Sequence, residues 1–100
     1  MKKWISLVAG MALGTVALLA RADALQVRSM AASCAACHGT NGVSQPGIEP
    51  LAGQSQDDLR KKLLDFKMGK TPATLMHQLA KGYSDAQLEQ LASYFAAQKR

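Results

Sequence analysis

No cysteine lies outside the pentapeptide Cys34-Ala35-Ala36-Cys37-His38, and the chain of 100 residues has two in all. That scarcity excludes a disulfide framework of the kind that staples small exported domains. A bridge between Cys34 and Cys37 themselves would close so short a loop that it constrains little of the unfolded chain. No stretch alternates apolar and polar residues as a strand does, and no segment repeats, so neither a sheet nor a solenoid is expected. Positive charge exceeds negative by five, yet no basic run is interleaved with aromatics, which excludes the usual nucleic-acid surface. The longest uncharged run, Trp4 to Ala20, has seventeen residues. A membrane span needs roughly 20 strongly apolar ones, and this run is diluted by glycine and alanine and closed by Arg21.

What is present at the N-terminus has the layout of a secretory leader. Lys2 and Lys3 precede the uncharged run, and Ala22-Asp23-Ala24 offers small residues at the two positions a signal peptidase reads. The expected signal peptide is residues 1–24, with cleavage after Ala24; Ala20-Arg21-Ala22 fits the same rule for a cut after Ala22. A retained anchor is the competing expectation, and after cleavage no membrane span is expected. The domain would then be residues 25–100. It holds nine Lys or Arg against six Asp or Glu, a net charge of +3. A chain this short often needs a metal or a cofactor to reach stability.

The predicted elements are helical. Leu25 to Ser33 reads as a short helix presenting Val27, Met30 and Ala31 to one side. Gly39 to Gln54 follows with four glycines and two prolines, an irregular stretch long enough to suggest that it wraps something. A second helix begins at Ser55 as N-cap, with Asp58 three residues on, carries Leu59, Leu63 and Phe66 on one face, and stops at Gly69. Thr74 to Lys81 allows one or two helical turns. Ser84 and Gln87 form a capping box for the last helix, whose buried stripe is Leu88, Leu91, Ala92 and Phe95, with Lys99 and Arg100 suited to its C-terminal end. The expected fold class is all-α: three main helices and long loops.

Cys-x-x-Cys-His is the attachment pattern of c-type haem. Two thiols at this spacing can add to the two vinyl groups of one haem edge as thioethers, and His38 is then held where its neutral imidazole reaches the iron. A thioredoxin-like dithiol would need a βαβ surrounding that is absent. A zinc site would need a fourth ligand, for which only His77 offers itself, and adjacent Cys37 and His38 close a tetrahedron poorly. The expected cofactor is therefore one covalent haem c, with Cys34 and Cys37 as attachment points and His38 as one axial iron ligand.

The other axial position has four candidates: Met30, Met68, Met76 and His77. An iron left open on that side would support ligand chemistry instead. Met30 belongs to the helix before the pentapeptide and is expected in the core, and Met68 reads as ordinary packing at the end of the second helix. Met76 follows a proline-containing loop, far enough along to cross to the opposite haem face, and is favoured. His77 is expected to be exposed between Leu75, Met76 and Leu79.

With Cys34-Ala35-Ala36-Cys37-His38-Gly39, Leu51-Ala52-Gly53-Gln54 and Met76, the chain resembles the class I cytochromes c, and within them the c4-like and c553-like group. Asp65-Phe66-Lys67, Gly69-Lys70, Pro72-Ala73-Thr74-Leu75-Met76 and Lys81-Gly82-Tyr83-Ser84-Asp85 are most similar to the cytochrome subunit of flavocytochrome c sulfide dehydrogenase. The resemblance implies a class I cytochrome c fold, His38 and Met76 as the axial pair, and a crossing of the first and last helices with Tyr94 and Phe95 near it. It implies that Tyr83 packs near the haem periphery. In the family a proline carbonyl orients the proximal histidine, with a residue between that proline and Leu-Ala-Gly. Here Pro50 abuts Leu51, so Pro50, Glu49 and their neighbours all remain candidates for the acceptor. Many relatives of that subunit carry two haems, whereas this chain can hold one.

The function so implied is periplasmic single-electron transfer without catalytic chemistry of its own. The expected partner is a FAD-containing sulfide dehydrogenase subunit, to which this chain would be the electron acceptor. A free monohaem shuttle to a terminal oxidase or another redox protein is the second expectation, and a haem enzyme or gas sensor with an open iron the third. Lys67, Lys70 and Lys81 are expected to rim the docking face.

Overall fold

The computed structural model describes residues 2–100, with side chains placed for residues 15, 16, 18 and 23–100. The described residues form four helices and no strand: α1 (Lys2–His38), α2 (Gln56–Lys67), α3 (Met76–Lys81) and α4 (Asp85–Ala96), with a short 3-10 turn at Thr40–Gly42. Most side chains of the expected leader lie outside the described residues. The first helix is longer than the sequence predicts at both ends. No proline interrupts residues 2–38, and the alanines and leucines throughout are strong helix formers, so nothing breaks the helix at Leu25. At the other end the pentapeptide itself is helical through His38.

Both predicted N-caps are made. Ser55 accepts a hydrogen bond from the Asp58 backbone N–H at 3.3 Å. At α4, Ser84 accepts from Gln87 N–H at 3.1 Å, while the Gln87 side chain accepts from Ser84 N–H at 2.9 Å. This reciprocal box satisfies two donors that a helix start leaves without intrahelical partners. α2 stops at Met68, followed by Gly69 in the left-handed region at φ 74°. Lys99 and Arg100 do not serve α4 as expected, because the helix ends at Ala96 and no basic residue falls in its last turn. The chain turns away there, and Arg100 Nη2 instead lies 3.5 Å from the Gly53 carbonyl.

α4 is the centre of the packing. Leu88, Leu91, Ala92 and Phe95 are buried and cluster with Ala31 of α1 and Leu59 of α2. α1 and α2 both pack against α4, and α3 packs against α2. Tyr94 and Phe95 stack edge to face, 5.2 Å between ring centres. Met30, Cys34 and Tyr83 border this core. The Tyr83 hydroxyl is 2.7 Å from Ser33 Oγ. Since Ser33 uses its own proton toward the Met30 carbonyl, tyrosine is the donor, and the turn before α4 is tied to α1. Among the described residues no helix is long and apolar enough to cross a membrane.

Candidate functional site

The last turn of α1 brings the pentapeptide together. Residues three apart on a helix are neighbours on its surface, so Cys34 and Cys37 share one side. Both are free thiols. Cys34 borders the core, with Sγ 3.8 Å from the Met30 carbonyl. Burial pushes its thiol above the ordinary value. Cys37 is exposed. The more buried sulfur thus fixes the inner edge of the site, and the other stands at its mouth.

Directly after His38 the chain reverses. Gly39 adopts φ 82° and ψ 162°, an extended positive-φ conformation open essentially to glycine alone, and a Cβ there would run into the Val43 carbonyl. The 3-10 turn follows, with Asn41 left-handed at φ 53°. The Tyr94 hydroxyl donates to Asn41 Oδ1 at 3.0 Å, so α4 holds this strained residue. Gly42 is buried, and its carbonyl accepts from both Leu51 N–H (2.9 Å) and Ala52 N–H (3.1 Å). These two bonds close the loop that carries Glu49.

His38 Nδ1 is 2.7 Å from the Glu49 carbonyl oxygen. A carbonyl only accepts, so Nδ1 carries the proton, and in the neutral ring Nε2 is left with its lone pair for a metal. The acceptor that the sequence left open among Pro50, Glu49 and their neighbours is therefore Glu49. The Pro50 carbonyl is engaged otherwise, accepting from Gln54 Nε2. Lys62 of α2 reaches the Glu49 carboxylate at 2.6 Å and Gln54 Oε1 at 3.1 Å. The Lys62 hydrogen bond holds the Glu49 carboxyl below its ordinary value, opposed by slight desolvation. The sequence offered no signal for Lys62, because thirteen residues separate it from Glu49.

The candidates for the second axial ligand are sorted by position. Met30 packs against the core as expected. Met68 caps α2 and is 63% exposed. Met76 is the first residue of α3 and half-buried. The expectation that His77 is exposed does not hold. His77 is half-buried, with an Nδ1 that has no hydrogen-bond partner among the described residues, whereas Leu75 and Leu79 are 60% and 53% exposed. The cause is that α3 packs against α2, which decides which side of so short a helix faces inward. Leu75 and Leu79, beside the half-buried Met76, consequently leave apolar surface largely uncovered among the described residues, suited to a flat apolar macrocycle.

The donor set fits one c-type haem: two thiols a helical turn apart, an imidazole with Nε2 free, a thioether on a separate segment, and uncovered leucines beside it. Among the described residues no group of three His, Cys, Asp or Glu side chains could hold a metal ion by itself, which leaves the zinc alternative without support. On the expected docking rim, Lys67 is engaged, its Nζ 2.8 Å from Asp85 Oδ1. Lys70 and Lys81 make no ion pair among the described residues.

Residues 27–99 match a family model described as cytochrome c. The cytochrome subunit of sulfide dehydrogenase from Chlorobaculum tepidum is 41% identical over 63 residues, covering 63% of this chain and 57% of that protein. Cytochrome c-553 from Helicobacter pylori is 35% identical over 91 residues, covering 89% of this chain and 95% of that protein. The solved structure of Acidithiobacillus ferrooxidans cytochrome c4 superposes with a TM-score of 0.62 at 34% identity, covering 64% of this chain and 37% of that one. The chain thus spans little more than half of the sulfide dehydrogenase subunit and about two fifths of the c4 chain.

Proposed function

Because the chain belongs to the cytochrome c family, single-electron carriers with covalent haem c, we propose that Cys34 and Cys37 attach the haem and that His38 and Met76 ligate its iron. The hydrogen bond from His38 Nδ1 to the Glu49 carbonyl carries this reading, since it fixes the tautomer and the orientation that ligation through Nε2 requires. Bound haem supplies the one-electron couple, and the rest falls to the protein. Glu49 holds the imidazole ring still between the two oxidation states. Met76 provides a soft, neutral sulfur, which favours the reduced iron. The α4 core and α1 keep water from the inner edge at Cys34, while Cys37 marks the side nearer to solvent.

We infer further that the protein works in the periplasm after loss of residues 1–24, as the electron-accepting subunit of a sulfide-oxidising complex whose other subunit carries FAD. The similarity to the Chlorobaculum tepidum subunit supports this, together with the uncovered Leu75 and Leu79 and the unpaired Lys70 and Lys81. A free shuttle is the second reading, supported by the nearly full-length match to a cytochrome c-553. Gel filtration of the haem-loaded protein with the flavoprotein separates them. Co-elution that survives high salt supports a permanent subunit, as expected of a larger and more apolar interface. Absence of a complex at low and high salt, with fast electron transfer to an oxidase, would establish the shuttle instead.

A further inference from the structure

The Ser44 hydroxyl stands between two carbonyl oxygens that both belong to the proximal side of the site. Its Oγ is 3.0 Å from the His38 carbonyl and 2.9 Å from the Glu49 carbonyl. The second of these oxygens is also the acceptor for His38 Nδ1–H, at 2.7 Å. One hydroxyl proton serves both acceptors, while the Glu49 oxygen has two lone pairs and accommodates both donors. Two donors on one oxygen draw on the same electron density, so each makes it a poorer acceptor for the other.

We propose that Ser44 is a positioning residue that sets how strongly His38 donates to the iron, by competing with Nδ1–H for the Glu49 carbonyl. This rests on His38 being an axial ligand, as read above. A strong acceptor on Nδ1–H makes the imidazole more basic and favours ferric iron; a weakened one favours ferrous iron. Ser44 therefore raises the reduction potential.

The opposite outcome, in which Ser44 matters only by holding the loop, conflicts with how firmly Glu49 is held without it. Leu51 and Ala52 N–H both bond to Gly42, Gln54 bonds the Pro50 carbonyl, and Lys62 pairs with the Glu49 side chain. Removing the hydroxyl leaves these in place. It relieves the competition without freeing the acceptor.

The test compares haem-loaded wild type with Ser44→Ala, Ser44→Thr and Ser44→Cys by potentiometric titration and by the NMR signal of the His38 Nδ1 proton. Ser44→Ala is expected to lower the equilibrium constant for reduction about threefold, equivalent to ~28 mV at about 59 mV per tenfold change for one electron. Its Nδ1 proton signal should move downfield. Ser44→Thr keeps the hydroxyl and should restore both readouts, and Ser44→Cys, a weak donor, should fall between. An unmoved or raised potential in Ser44→Ala, with its low-spin spectrum intact, overturns this inference alone. A low-spin spectrum that persists unchanged in His38→Ala overturns the ligand reading, and this inference with it.

Discussion

Lys67 Nζ and Asp85 Oδ1 meet at 2.8 Å, joining the last turn of α2 to the first turn of α4 across eighteen residues of sequence. Each charge also suits the helix end on which it sits, the cation at a C-terminus and the anion at an N-terminus. The pair removes Lys67 from the free positive surface and leaves Lys70 and Lys81 to present charge to an acidic partner. Reversing Lys70 and Lys81 to glutamate should slow second-order electron uptake several-fold at low salt with little change in potential. Asp85→Ala, which releases Lys67, should speed it. Stopped-flow rates across ionic strength check this, because screening grows as the Debye length falls to ~10 Å at 0.1 M. Rates indifferent to salt in all variants would refute it.

Attachment is checked by mass. Protein made in a host with haem-ligation machinery should retain one haem's added mass after acid and denaturant, and lose it when Cys34 and Cys37 are both replaced. The doubly substituted chain should be largely unfolded by circular dichroism, given how few large side chains are buried among the described residues: Leu59, Leu88, Leu91 and Phe95.

The second axial ligand is checked by spectroscopy. Met76→Ala should abolish the weak long-wavelength sulfur-to-iron band of the ferric protein and lower the potential. Met68→Ala should leave both unchanged, since that side chain is 63% exposed at the end of α2. Loss of the band in Met68→Ala alone would reverse the assignment.

Acid should loosen the loop that holds His38. With its carboxyl held below the ordinary value of 4.5 by Lys62, Glu49 binds a proton less readily in the folded chain than in the unfolded one. The stability that this supplies is complete above the ordinary value and disappears as pH falls through the depressed one. Both side chains are about half exposed, so solvent screening limits the contribution to no more than about 1 kcal/mol. Thermal melts of haem-loaded wild type and Lys62→Met should differ slightly at pH 7 and converge as the pH is taken well below 4.5. A difference that widens in acid would contradict this.

Stability should depend most on α4. Leu91→Ala removes a fully covered side chain and should cost about 2–5 kcal/mol, whereas Ser84→Ala, which breaks the capping box, should cost about 1 kcal/mol. Denaturant titration of the haem-loaded variants orders the two effects.

The features legible from the sequence are those set by local chemistry. Ser84 with Gln87, Ser55 with the Asp58 backbone, and the stripe from Leu88 to Phe95 needed only the helical period and hydrogen-bonding side chains at fixed offsets. The pentapeptide was legible for the same reason, as its spacing is its chemistry. Other features depend on what packs against what. His77 was expected exposed because six residues define no stripe of their own, and contact with α2 decided that it is half-buried while Leu75 stays exposed. The Glu49 acceptor depended on the path of an irregular loop, closed by backbone bonds at Gly42 that leave no mark in residue type. Lys67 read as a free charge because its partner lies on the next long helix.

Gly42 has a consequence beyond its own turn. With φ at 78°, it leaves no room for a Cβ, which would meet Phe95 Cδ1, Leu51 Cβ and Ala52 N each at 2.9 Å. The loop backbone is thus seated against a core aromatic of α4, and the same residue fixes Leu51 and Ala52, just beyond Glu49. Contacts run from His38 at the C-terminal end of α1, through the Glu49–Ala52 segment and Gly42, to Phe95 of α4. If His38 ligates the iron as proposed, the seat of its imidazole depends on α4 as well as on α1, because the Glu49 loop rests on Phe95 through that glycine.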